Sequence, residues 1–264
     1  MCCGPYSVEA STLSSPAARP VVWDRLWRHT PSDAKDDALL ARERRSPRWV
    51  SIVNKLEITF GSIKGLKTIE LGSGRGDLSA LLAQHGAEVT LLDSSGQALR
   101  QAQHRFDRLG LEAGYQRDDI LRTLQSFRGR FDVALSSGVI EHFKDNDRTR
   151  AVQAHYEVLA PKGMAIISVP NAWCIPYRVW KLYLELRGRW PYGLELPYSK
   201  RELIKRARRV GFKRIEGRCM GFWQSVGDQL GRNLLGWGPD WVDRRSFMDG
   251  TMGLVLLLFA WRSP

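Results

Sequence analysis

The segment 67–77 constrains the rest of the chain. A short apolar run, Lys67-Thr68-Ile69-Glu70-Leu71, passes directly into Gly72-Ser73-Gly74-Arg75-Gly76-Asp77, and a helical pattern follows over 78–85. A strand that turns through glycines into a helix begins a βαβ unit, which needs further parallel strands beside it. The sequence supplies them. Strand patterns are expected at 88–92, 114–117, 131–136 and 164–169, and helices at 95–109 and 147–159. Gly86 and Gly110 stand where helices stop, Pro161-Lys162-Gly163 reads as a turn, and Pro170-Asn171 ends the fifth strand. A helix at 199–210, closed by Gly211, and two strands at 212–219 and 251–261 complete the alternation. The expected fold is α/β, a Rossmann-like, doubly wound, mostly parallel sheet. In such sheets ligands bind beyond the carboxyl ends of the strands.

Two segments stand outside the alternation. Residues 21–60, with Trp23, Trp27 and Trp49, read as a helical N-terminal cap; residues 172–198, rich in Trp, Tyr and Pro, leave from the carboxyl edge and read as a lid. Together with 21–264 as one domain, residues 1–20 read as a flexible arm, since Pro5, Pro16 and Pro20 interrupt a serine-rich stretch that has neither the basic start nor the apolar run of a signal peptide. The longest strongly apolar run, 253–261, is about half of the roughly 20 residues that a membrane helix requires. A cytoplasmic protein is expected. With 43% hydrophobic and 10% aromatic residues in 264, disorder is excluded, and four cysteines do not make a disulfide scaffold. Cys2, Cys3, Cys174 and Cys219 lack paired C-x-x-C spacing, so no metal site is expected, and lipidation at Cys2 and Cys3 is a minor alternative.

Glycines in the turn permit a close approach of ligand to backbone, and the helix N-terminus offers unpaired N–H groups. The dinucleotide spacing G-x-G-x-x-G is not met; the glycines fall as G-x-G-x-G, with Glu70 two residues before the first. This pattern resembles motif I of the class I S-adenosylmethionine (SAM) dependent methyltransferases. The resemblance implies a seven-stranded sheet with an antiparallel last strand. It continues through residues 66–171. Asp93 ends the second strand, where a carboxylate can accept both ribose hydroxyls. Asp119-Ile120 follows the third strand, where the family binds the adenine amino group and ring, Asp118 being the alternative acid. Residues 131–142 resemble the fourth strand and its loop, and Leu159-Ala160-Pro161-Lys162-Gly163 resembles the family's L-x-P-G-G turn with Lys162 in place of a glycine. The resemblance therefore assigns Glu70, Gly72, Ser73, Gly74, Gly76, Asp93, Ser94, Asp119, Ile120 and Ser137 to SAM. His142, in the loop that borders the methyl group in this family, is the candidate base, the alternative being that Glu141 and His142 serve packing or start a helix. Glu141 otherwise caps the loop or faces the sulfonium. Arg75 pairs with the methionine carboxylate or points to solvent.

The fourth strand runs into Ser136-Ser137-Gly138 and not a [D/N]-P-P-[Y/F] sequence, and no Pro-Cys pair follows it. Both absences argue against the nucleobase-methylating branches. The stretch Gly193-Leu194-Glu195-Leu196-Pro197-Tyr198-Ser199, with Glu202-Leu203 and Gly211-Phe212, resembles the branch containing ubiquinone-biosynthesis O-methyltransferases. That resemblance implies methyl transfer to a small organic, lipid-like acceptor, on oxygen, with nitrogen and carbon as the alternative acceptor atoms. The rivals are an RNA methyltransferase and a non-catalytic SAM-binding regulator. Charge bears on the choice of partner: residues 172–214 carry net +9 of the chain's +12. Ile175, Val179, Leu182, Tyr183 and Leu186 recur there at helical spacing with Arg178, Lys181 and Arg187 between them. The stripe is expected either to bury itself on the domain as a lid or to contact an anionic membrane peripherally, with nucleic acid a third partner.

Overall fold

The computed structural model describes residues 19–28, 31–122, 125–227 and 244–264. Three helices come first, α1 (Arg19–Leu26), α2 (Asp33–Arg45) and α3 (Pro47–Phe60). The alternation then runs β1 (Lys67–Leu71), α4 (Asp77–Gln84), β2 (Glu88–Asp93), α5 (Gly96–Leu109), β3 (Gly114–Arg117), β4 (Phe131–Ser137), α6 (Asp145–Val158) and β5 (Leu159–Pro170). It ends with α7 (Ile175–Leu186), α8 (Lys200–Val210), β6 (Arg214–Met220), α9 (Phe222–Val226), α10 (Asp249–Met252) and β7 (Val255–Trp261). The seven strands form one sheet in the order β3-β2-β1-β4-β5-β7-β6. β1 to β5 run parallel, and β7 enters antiparallel to both β5 and β6. The doubly wound order reverses between β1 and β4, which opens a crevice at their carboxyl ends.

The strands bury both faces, as period-two side-chain alternation in a covered parallel sheet requires. Val133 and Leu135 pack with Leu56 of α3, Leu81 of α4 and Phe106 of α5, whereas Ala134, Ala165 and Ile167 pack with Val152 of α6 and Leu203 of α8. Each such aliphatic or aromatic side chain contributes roughly 1.5–3 kcal/mol on burial. Serine caps start the helices where the sequence offers them: Ser46 Oγ accepts from Trp49 N, Ser95 Oγ from Ala98 N, and Ser199 Oγ from Glu202 N.

Four expectations change. The arm expected over 1–20 gives way to α1 from Arg19, a start that tolerates Pro20 in its first turn; residues 1–18, with Cys2 and Cys3, lie outside the described residues. The turn at 161–163 is a bulge inside β5, where the register with β4 shifts and Lys162 takes φ 65°. The strand expected from 251 begins only at Val255, because Asn171 Nδ2 donates to the Thr251 and Gly253 carbonyls and removes them from the ladder. The strand expected from 212 begins at Arg214, because Phe212 N closes α8 on the Ala207 carbonyl. The lid helix α7 turns its stripe outward. Trp173, Ile175, Val179, Leu182, Tyr183 and Leu186 are exposed among the described residues, so the stripe is not buried on the described part of the domain.

Candidate active site

A cavity opens at the carboxyl ends of β1, β2 and β4, and the N-terminal helices roof it. Its walls include Trp23 of α1 and Trp27 just beyond it, Arg48 of α3, residues of the glycine turn, Asp93-Ser94, Asp118-Asp119-Ile120, and Ser137, Gly138, Val139, His142 and Phe143 of the loop after β4. Of the residues assigned to SAM, all but Gly76 lie on this wall. Gly76 caps α4 with φ 69°, and a Cβ there would stand 2.4 Å from Leu91 Cδ2. It brings helix and sheet together and does not face the cavity.

The other two glycines of the turn hold the cradle open. A Cβ at Gly72 would meet Val139 at 2.7 Å, and one at Gly74 would meet Trp27 at 2.9 Å. Ser73 Oγ and Arg75 Nε are buried and have no partner. Unpaired buried polar atoms on a cavity wall are costly unless a ligand completes them. Glu70 sits beneath the turn, its carboxylate accepting from Ser79 N at 3.2 Å and Ser79 Oγ at 2.5 Å, and burial pushes its carboxyl up to about 8. Glu70 thus ties β1 to α4 as well as bordering the cavity.

Asp93 is the carboxylate held most rigidly. Its Oδ2 accepts from Gly74 N and its Oδ1 from Ser95 N, each at 2.8 Å. Burial raises its carboxyl above the ordinary range. Each oxygen keeps a further lone pair toward the cavity. Asp118 and Asp119 both line the wall beside buried Ile120; Asp119 Oδ1 accepts from Leu121 N at 2.9 Å, and Asp118 Oδ1 from Asp119 N at 2.8 Å. Asp24 of α1 reaches across to Ser95 Oγ at 2.5 Å and Gln97 N at 3.2 Å, which fastens the roof to the rim.

His142 does line the cavity, but its Nδ1 donates to the Leu194 carbonyl at 2.6 Å and its ring meets Trp23 edge-on at 4.8 Å. Burial lowers its imidazole to about 4, so it is neutral and weakly basic. Leu196 N in turn donates to the Glu141 carbonyl at 2.9 Å, so this loop anchors the stem of the lid. Arg48 had no signal in the sequence. It grips Glu43 through Nε at 2.9 Å and Nη2 at 2.7 Å, and its Nη1 donates to Ser137 Oγ at 2.5 Å and Ser168 Oγ at 3.3 Å. Only the folded sheet brings residues this distant in sequence to one strand tip.

A second cavity, about 420 Å³, abuts the first. Arg48, Ser137, Gly138 and Tyr192 belong to both walls. Tyr177, Trp180, Trp190, Glu141 and Glu195 line its far side, under the lid. The two chambers meet at the carboxyl end of β4.

A seven-stranded sheet with one antiparallel inserted strand and a glycine turn after β1 defines a Rossmann-like α/β fold with a ligand crevice at the carboxyl ends of its strands. Comparison with known proteins narrows this further. A family model described as a methyltransferase domain matches residues 69–163. A ubiquinone biosynthesis O-methyltransferase from Ruegeria pomeroyi is 31% identical over 175 residues, covering 62% of this chain and 69% of that protein. One of the same description from Caulobacter sp. strain K31 is 32% identical over 127 residues, covering 48% of this chain and 50% of the relative. The chain thus spans about half the length of several curated relatives that it matches. Magnesium protoporphyrin IX methyltransferase from Synechocystis, solved with bound S-adenosylhomocysteine (SAH), shares the fold with a TM-score of 0.56 at 19% identity, covering 96% of this chain and 97% of that one. The chain belongs to the class I SAM-dependent methyltransferases.

Proposed function

We propose that this protein transfers a methyl group from SAM to a small organic acceptor, on oxygen. The observation that carries the reading is the pair of abutting chambers: one holds the glycine turn, Asp93 and Asp118-Asp119-Ile120, and the other is aromatic and lies under the lid. In this reading residues 21–264 form one methyltransferase domain, with 21–60 as its cap and 172–198 as its lid. When bound, SAM supplies an electrophilic methyl carbon on a sulfonium. The chain itself has to bind, align and exclude water.

Asp93 takes the ribose diol, Asp119 or Asp118 the adenine amino group, and Ile120 packs on the ring. Gly72 and Gly74 admit the methionine portion against the backbone, with Ser73 and Arg75 offering the orphaned polar atoms. Ser94 and Ser137 complete the rim, and Glu70 braces the turn from below. Trp23 and Trp27 close the chamber to water. His142 keeps the lid stem in place. Oxygen as the acceptor atom is supported by the likeness to O-methyltransferases. The test is direct: purified protein and radioactive SAM are offered to metabolite and RNA fractions of the native host. Label in the small-molecule fraction supports the reading, label in RNA replaces it, and SAM binding with no transfer to any fraction makes the protein a non-catalytic regulator.

A peripheral membrane contact is favoured by one specific feature. The exposed stripe of α7 continues through Trp173 into a hollow bordered by Lys200, Arg201, Lys205 and Arg208. Apolar side chains beside a cationic rim suit an anionic lipid surface, which also suits a lipid-like acceptor. No helix among the described residues is long and apolar enough to cross a membrane. Salt-sensitive co-sedimentation with phosphatidylglycerol vesicles, lost on Ile175→Ser with Leu182→Ser, is the expected result.

A further inference from the structure

Glu141 and Trp190 each present a buried polar atom that no group of the described fold pairs with. Glu141 is 1% exposed, and its Oε2 is buried without a hydrogen-bond partner. Trp190 Nε1 is likewise buried and unpaired. Both residues line the lid-side chamber. One offers an acceptor and the other an N–H on walls that are otherwise largely aromatic and aliphatic. Backbone N–H groups of Glu141 and Val139 serve its carboxyl, but a buried carboxylate oxygen left without a partner costs about 1–3 kcal/mol, which a ligand donor would offset. Glu195, on the same wall, is held by the Tyr177 hydroxyl, so the two acids are not equivalent.

Resting on the reading of the protein as an O-methyltransferase, we propose that Glu141 is the catalytic base that takes the proton of the acceptor hydroxyl, with the Trp190 N–H fixing a second oxygen of the same acceptor. Placement is the reason. Glu141 follows Ser137 and Gly138, two of the four residues common to the two chambers, and a Cβ built on Gly138 would lie 3.7 Å from Glu141 Oε1. A hydroxyl between Glu141 and the shared wall therefore faces the donor chamber. In the reaction the acceptor O–H bond breaks and its proton passes to the Glu141 carboxylate. The oxygen forms the new bond to the methyl carbon, and the C–S bond breaks with its electron pair going to sulfur. A sulfonium, an alcohol and a carboxylate become a thioether, an ether and a carboxylic acid, and charge balances.

The groups facing Glu141 fix its basicity. Burial is the largest influence and pushes its carboxyl up to about 8; Glu195 pushes the same way, and Arg148 of α6 opposes it. Tyr198 lies beside it, and Arg48 and Tyr177 stand across the chamber. A base tuned near working pH is the effective one, whereas His142 is far below it.

The probe is 4-nitrocatechol, a hydroxylated ring whose absorbance reports its ionisation. Three measurements are made on the full chain: SAH affinity by calorimetry, binding of the probe with SAH present, and methylation of the probe. Glu141→Gln keeps SAH affinity within about twofold and lowers turnover by about 100-fold or more, the range of a lost general base. It also removes the rise of turnover toward pH 8 seen in the unaltered protein, and the spectral shift of the bound probe. Glu141→Asp restores part of the turnover, and Trp190→Phe weakens probe binding with the pH limb intact. If Glu141→Gln misfolds, the wild-type pH limb and Trp190→Phe decide the matter. Unchanged turnover and pH limb in Glu141→Gln overturn the assignment. So does a protein that binds SAH yet neither binds nor methylates the probe. Absence of SAH binding in the unaltered protein overturns the methyltransferase reading itself.

Discussion

Replacing Asp93 by Asn probes the donor chamber at its most tightly held carboxylate. The two oxygens of Asp93 each accept a backbone N–H at 2.8 Å, from Gly74 and from Ser95. Asparagine offers one acceptor oxygen and one donor amide. One of those buried N–H groups then faces another donor, at a cost of about 1–3 kcal/mol in unfolding free energy. The ligand loses one charge-assisted hydrogen bond from its ribose, worth about 1.5–3 kcal/mol. SAH affinity is therefore expected to fall by about 10- to 150-fold. Calorimetry with SAH and its 2′-deoxy analogue separates this from general damage, because both ligands are measured on the same protein. The unaltered protein prefers the ribose form, and Asp93→Asn loses most of that preference, as a coupled pair should. An undiminished preference in the variant would refute the placement of the diol on Asp93.

Three further outcomes follow from the same geometry. Gly76→Ala forces a Cβ into a left-handed backbone and to 2.4 Å from the buried Leu91 Cδ2. It should lose about 2–4 kcal/mol in urea unfolding. SAH affinity of the folded protein should stay within a few-fold; lost affinity at unchanged stability would count against a packing role. Lys162→Gly should gain about 0.5–1 kcal/mol in thermal unfolding by relieving φ 65° within β5, and a lower melting temperature would mean that the lysine side chain holds something. Apo stability should decline as pH rises. Glu70 and Glu141 are raised to about 8 in the folded chain, so their contribution is full below the unfolded carboxylate value and lost as pH climbs through 8. His142 and His155 are lowered to about 4, so theirs is full above the unfolded imidazole value and lost as pH falls through 4. The urea midpoint should therefore drop from about pH 6.5 to about pH 8.5, and Glu70→Gln should flatten that drop.

Much of the donor chamber was legible because its parts are local. A glycine turn, an acid at a strand tip and the residues just after the next strand are each defined by their own few neighbours. Once the strands pair in parallel, their carboxyl ends must lie along one edge, and Asp93 and Asp119 arrive beside Gly72 and Gly74 without further instruction. Gly76 shows the limit: its place in the motif is plain, but its contact with Leu91 and its absence from the cavity wall appear only when α4 packs on β2.

The acceptor side was not legible in that way, since its residues are distant in sequence. Arg48 meets Ser137 and Ser168 from 89 and 120 residues away in the sequence. Arg105 lies buried against Asp36 and Asp77, and no local pattern marks either partner. For His142 and Glu141, adjacent in sequence, chemistry alone favoured the imidazole. In the fold, burial lowers the imidazole of His142 and raises the carboxyl of Glu141, and the Leu194 carbonyl takes the histidine Nδ1, none of which the two adjacent letters show. The sequence by itself determined the alternation of strands and helices, the glycine turn and the family resemblance, because backbone periodicity and short motifs act over a few residues. The tertiary structure alone decided which polar groups are buried together, where the lid stripe faces and which side chains line the second chamber. Desolvation and hydrogen-bond pairing depend on everything packed around a group, and that is assembled only in the fold.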